Sequence, residues 1–237
     1  MALKLAYIGL SLLMTLLLIY GGFKTINISF TDSKKKRNKK IVLVGAMVLW
    51  HLYVYVLALF DYMLDLSFPP KFFLATIVPL FIFSGVFAYR NRKSSWLQNI
   101  PVQGLFFYQT FRILIEIIFV YTVAQGTLHP NVTIEGYNYD MVYAFSVLLI
   151  GLGIFQKIES HRKLVLAWNY LGLLVILSIL IVFQTTIYLP EIYGDIEPFS
   201  GDFLQYPYVL VPAFLMPSAV FVHCISIAQL THRTGSD

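Results

Sequence analysis

The chain has 237 residues, of which 58% are hydrophobic and only 12% charged, with a mean hydropathy of +0.74 and a formal net charge of +5. A water-soluble domain carries about 25% charged and about 45–50% apolar residues, so this composition cannot cover a soluble core with polar surface and points to lipid as the solvent. The positive charge gives no nucleic-acid partner, because the basic residues punctuate long apolar runs, and the single cysteine, Cys224, excludes an intrachain disulfide.

A membrane-crossing helix needs roughly 20 mostly apolar residues. Seven stretches meet this, at about 5–23, 41–63, 70–89, 102–124, 140–156, 164–187 and 206–229. The fold class they predict is an all-α, polytopic bundle, a single transmembrane domain over residues 1–237. The first run follows Lys4 and ends at Gly21-Gly22, an arrangement that resembles a secretory signal peptide. It is long for a signal core and lacks a small-x-small cleavage site, so it is expected to stay as a span.

The loop expected after it holds Lys24 and the cluster Lys34, Lys35, Lys36, Arg37, Lys39 and Lys40. This run reads as a topological anchor on a solvated loop, with anionic lipid head groups as an alternative partner. Together with Arg90, Arg92, Lys93, Lys157, Arg162, Lys163 and Arg233, it puts 14 of the 17 basic residues on one side. The other side carries Asp61, Asp65, Glu135, Asp140, Glu191, Asp195, Glu197 and Asp202. Positive loops stay in the cytoplasm, which predicts the N-terminus outside and the C-terminus inside.

Ionisable groups within spans are costly and therefore candidate sites, each with a partner to be found. The second span holds His51 about ten residues from its start and Asp61 near its end. The fourth holds Gln109, Arg112 and Glu116, at spacings that share one helical face. Arg112 and Glu116, four apart, are expected to pair with each other. Arg112 falls about 15 Å into the membrane at about 1.5 Å per residue, the depth expected of His51. These four residues form the predicted midplane polar site, with Tyr53, Tyr55 and Tyr108 as available hydrogen-bond partners.

Asp140 and Asn138 read as caps of the fifth span. Asn169 in the sixth span and His223 in the seventh are secondary candidates, as is Asp61. His223 is open to two readings, a packed interface histidine or a ligand. Pro212 and Pro217 are expected to bend the last span and free backbone carbonyls.

The stretches Phe111-Arg112 with Ile115-Glu116, residues 135–140, residues 161–169 and residues 211–217 with His223 resemble a group of small uncharacterised bacterial multispan proteins. The resemblance covers the C-terminal half. It implies a bacterial inner-membrane location and brings no activity with it.

Three functional readings stand. A small transporter or proton-coupled protein follows from Arg112, Glu116 and His51, although no inverted repeat and no matched pair of broken helices is evident. A membrane enzyme or haem protein would use His51 and His223 as iron ligands, but their depths differ by roughly 9 Å. No HExxH or paired His-x-x-His motif occurs, and the sequence names no cofactor. A structural or assembly role with no ligand is the third. A retinal receptor is excluded by the lack of a lysine in the middle of any span, and the last span lacks Asn-Pro-x-x-Tyr.

Overall fold

The computed structural model describes residues 1–154, 161–194 and 199–232, with the side chains of 151–154 left aside. Lys157, Asp195, Glu197, Arg233 and residues 155–156 of the fifth predicted span lie outside the described residues. Among those described, the chain is helical and has no strand. Six helical stretches are long and apolar enough to cross a membrane: Ala2–Ser29, Ser33–Leu59, Phe73–Asn91, Val102–Ala124, Arg162–Tyr188 and Val211–His232. The fifth predicted span is a shorter apolar helix, Asp140–Ile154. These helices are those of an integral membrane protein.

Helices α1 (Ala2–Ser29) and α2 (Ser33–Leu59) form a hairpin. The lysine cluster was expected in a loop, but it is helical. Asp32 caps α2 by accepting from the Lys34 and Lys35 amides at 2.8 and 3.3 Å, and only residues 30–32 connect the helices. An N-cap carboxylate satisfies amides that have no partner in the helix, so α2 begins at the first lysines. Lys39 and Lys40 fold back over the rings of Phe30, in the connection, and Phe23, on α1.

Helix α3 (Val78–Asn91) follows a π-turn, Phe73–Ile77. A short α4 (Ser95–Gln98) leads to α5 (Val102–Tyr108) and α6 (Phe111–Ala124), which together make the fourth span. Its interruption is a tightened turn: the amides of Gln109, Thr110, Arg112 and Ile113 bond three residues back instead of four. Then come α7 (Asp140–Ile154), α8 (Arg162–Tyr188), a second π-turn at Val211–Leu215, and α9 (Met216–His232).

Helix α9 is the axis of the bundle. It packs on α3 and α8 and is touched by α4 and α5. Its sequence permits this, because Ser218, Ala219, Ser226 and Ala228 are small enough for backbones to approach closely. Gln229 donates from the same helix to the carbonyls of Leu97, Gln98 and Ile100 and so ties down the α4 region.

The two π-turns form a matched pair. Each ends two residues before a proline, Ile77 before Pro79 and Leu215 before Pro217, and the two turns pack on each other. Further along, Phe83 and Phe87 meet Phe221, and Ala88 packs with Ile225 and Ala228. Contacts therefore advance in the same direction along both helices, which makes α3 and α9 parallel. The α-helical partner of the Ala75 carbonyl would be the nitrogen of residue 79, and that of Ala213 the nitrogen of residue 217. Both are prolines with no N–H to give. Tyr53 Oη donates to Ala75 O at 3.1 Å and Trp50 Nε1 to Ala213 O at 2.9 Å. These donors lie three apart on one face of α2, so α2 closes both interruptions at once.

Candidate functional site

The polar groups at the centre come from α6, α7, α8, α9 and the segment before α7. Arg112 is 2% exposed and Glu116 is 1% exposed. The expected pairing of these two is replaced by a different one. The Arg112 guanidinium forms its ion pair with Asp140 at the start of α7. Its other Nη lies 3.4 Å from His223 Nε2, and its face covers the Tyr143 ring at 4.7 Å from the centroid. Asp140 and Tyr143 sit three apart on α7, so one helical face supplies both the counter-ion and the ring.

Glu116 takes its hydrogen bond from Asn138 instead, Nδ2 to Oε1 at 2.7 Å. The same amide group also donates to the Val132 carbonyl at 3.1 Å, while Asn138 Oδ1 accepts the Asp140 amide at 2.8 Å. The capping expectation is thus half corrected. Asn138 caps α7, and the Asp140 carboxylate is committed to Arg112. The Ile134 backbone amide is directed at the Glu116 carboxylate, yet Oε2 is buried with no hydrogen-bond partner.

On the far side of Arg112, His223 Nδ1 meets Asn169 Oδ1 at 2.9 Å, and Asn169 Nδ2 donates to the Val165 carbonyl. With the Asn169 amide so oriented, its Oδ1 must accept, which places the imidazole proton on Nδ1 and turns the Nε2 lone pair to Arg112. A continuous polar chain follows: Asn169, His223, Arg112, Asp140, Asn138, Glu116. Tyr143 braces it by donating to the Trp168 carbonyl at 2.9 Å and stacking on the Trp168 ring. Gln109 donates to the Ala219 carbonyl at 3.2 Å, one turn from Arg112 but outside the chain.

His51 is not part of this cluster. Its ring bonds Thr15 of α1 at 3.3 Å and the Met47 carbonyl at 2.9 Å, and lies on Phe214. Equal depth did not bring it to Arg112, because α2 turns that face towards α1 and the second π-turn. Asp61 is exposed in a left-handed turn beyond α2, φ 52°. The two histidines proposed for haem have both ring nitrogens engaged with different partners, so they do not converge on one iron. Among the described residues, no three His, Cys, Asp or Glu side chains are grouped to hold a metal ion.

Beside the chain lies a cavity of about 80 Å³. A single water needs roughly 10–15 Å³ of such space, so this chamber holds several waters or one small organic molecule. Its polar wall is Arg112, Glu116, Asn138 and Asp140, and the rest is aliphatic or aromatic. Both π-turns contribute, through Ile77, Val211, Pro212 and Leu215. The segment before α7 closes one end with Leu128 and Val132, each 3% exposed. That segment turns at Gly136, where a Cβ would lie 2.5 Å from Asn131 Cα and 2.7 Å from the Pro130 carbonyl. Only glycine lets the chain pass so near itself.

Asn138 was read from the sequence only as a cap, and Asp140 likewise. A polar signal was present, since residues 135–140 concentrate acids and an amide at the mouth of an apolar span. Comparison with protein families, with curated proteins and with solved structures gives no match.

Proposed function

We propose that this is a small proton-coupled transporter of seven spans, with α7 as the fifth, and that its solute site is the chamber beside Arg112 and Glu116. The basic clusters support an N-terminus outside and a C-terminus in the cytoplasm. The resemblance to small bacterial multispan proteins supports the inner membrane as its location.

The observation that carries the reading is a chamber with a buried, under-bonded carboxyl, set between two interrupted helices at corresponding positions. Discontinuous helices around a mid-membrane site are the usual structural pointer to transporters, because backbone at membrane depth is left irregular where it lines a cavity. The π-turns supply two points where α3 and α9 can bend without breaking the rest of their hydrogen bonds. Glu116 supplies the group that exchanges a proton. Arg112, Asp140 and His223 hold the wall and are occupied with one another.

The test is reconstitution in liposomes loaded with a pH-sensitive dye, with a potential imposed across the bilayer. Wild type is expected to pass protons and Glu116→Gln to fail while still purifying as a folded protein. Equal proton flux from both would reject Glu116 as the coupling group. Silence from both would favour the alternative that the polar chain serves only to join α6, α7, α8 and α9, a role for which its near-complete pairing already suits it.

A further inference from the structure

We infer that the chamber is built for a small organic cation, an amine with an apolar body whose ammonium group docks on Glu116. The inference rests on the transport reading above and specifies its solute.

Charge and hydrogen-bond capacity along the wall decide the class. Three buried atoms of the wall have no hydrogen bond: Arg112 Nη2, Asp140 Oδ1 and Glu116 Oε2. The first two form the ion pair with each other, which leaves Glu116 Oε2. The Asn138 amide group is already committed, with one bond to Glu116 and one to the Val132 carbonyl. An ionised carboxylate accepts about four hydrogen bonds and donates none. The unmet demand of the wall is therefore for a donor, and for positive charge.

An anion finds the opposite situation. The Arg112 guanidinium is held by Asp140, by His223 and against the Tyr143 ring, and Asp140 and Glu116 would repel a second carboxylate. The remaining wall favours a cation with an apolar body. Phe72, Phe111, Phe119 and Phe183 line it, and aromatic faces attract ammonium groups. The volume of about 80 Å³ limits the body to a short alkyl chain or one ring.

The binding step balances as an exchange. An ammonium ion and a proton compete for the same carboxylate, so where Glu116 carries a proton, docking the cation releases it and leaves the charge of the chamber unchanged. The titratable groups that act on Glu116 are Arg112 on its own helix, Asp140 on α7 and Tyr7 on α1. From α8 and α9 the chamber receives apolar side chains, among them Ile176, Phe183 and Ala219. Amine affinity should therefore rise with pH.

The experiment is calorimetric titration of the full chain in lipid nanodiscs with butylammonium and benzylammonium, using butyrate and butanol as size-matched controls. Both amines are expected to bind, more tightly at alkaline than at acidic pH, with neither control binding comparably. Glu116→Gln should weaken the amines by roughly ten-fold or more, the loss expected for a charge-assisted hydrogen bond. If that variant does not fold, the wild-type ranking of amine against butyrate and butanol still decides. Butyrate or butanol binding as well as butylammonium would overturn the inference, as would amine binding indifferent to pH and to Glu116→Gln. Amines that fail to bind while proton flux persists would sink the cation assignment and leave the transport reading standing. Amines that bind without any proton flux, even down an imposed amine gradient, would support the cation site and sink transport.

Discussion

Helices α2 and α9 are both apolar and long enough to cross a membrane, yet 6% of the most apolar window of one is buried in the protein and 72% of the other. On α2 only Val54 is buried, while Val42, Leu49, Leu52 and Leu59 stand more than half exposed, as lipid-facing residues do. On α9, His223 and Gln229 are wholly enclosed. Hydropathy does not separate these helices, because lipid and a protein interior are about equally apolar. What separates them is the placement of small and polar residues, which direct a helix towards other helices where close approach and hydrogen bonds are available. The outer helix still has a task at one face: Trp50 and Tyr53 close the two backbone gaps of the inner pair.

The largest way to break this arrangement is at Arg112. Its replacement by Ala leaves the Asp140 carboxylate buried without its partner, which costs about 3–5 kcal/mol. The thermal unfolding midpoint should fall steeply. Asp140→Asn should do likewise, and the two losses should be far from additive when combined. A smaller effect is expected at Gly172, where an added Cβ would run into Tyr143 Oη and the His223 ring. Overpacking of this kind costs about 1–3 kcal/mol, and Gly172→Ala should also disturb the Tyr143 and Trp168 stacking seen by tryptophan fluorescence.

Between centre and periphery stands Trp50→Phe. It keeps the ring but leaves the Ala213 carbonyl without its donor, for a loss of about 1 kcal/mol. Further out, Gly45 of α2 has nothing within 4 Å of where its Cβ would lie. Gly45→Ala should therefore stabilise by about 0.5–1 kcal/mol through helix propensity. A loss of stability there would mean that α2 is covered by something the isolated chain does not show.

The smallest effect concerns the exposed connection before the first π-turn. The Lys71 ammonium at 2.7 Å, then the Ser67 hydroxyl and amide, hold the Asp65 carboxyl below the usual carboxylate range. A group lowered in the folded state stabilises above its unfolded value, near 3.9, and loses that contribution as pH falls further towards its folded value. At this exposed site the melting temperature should scarcely respond, and an NMR titration of Asp65 should shift upward in Lys71→Ala.

Much of this was legible in the residues. Apolar length gave the helices, and the costliness of a buried Arg and Glu singled out α6. Partner choice was not legible. Spacing of four made Glu116 the evident counter-ion for Arg112, but Asp140 lies 28 positions away and reaches it only because the segment before α7 folds back on Gly136. His51 was placed with the cluster by depth, and depth says nothing of which way a helix faces. The matched π-turns were hidden because their prolines read as isolated bends until the parallel packing of α3 and α9 set them side by side.

On the proposed function, proton coupling belongs to the buried α6, α7 and α9 cluster and not to α2. Proton flux into dye-loaded liposomes should therefore be compared for Glu116→Gln and His51→Ala. The expected result is that Glu116→Gln abolishes the flux and that His51→Ala retains most of it. Flux that survives Glu116→Gln but is lost in His51→Ala would contradict it.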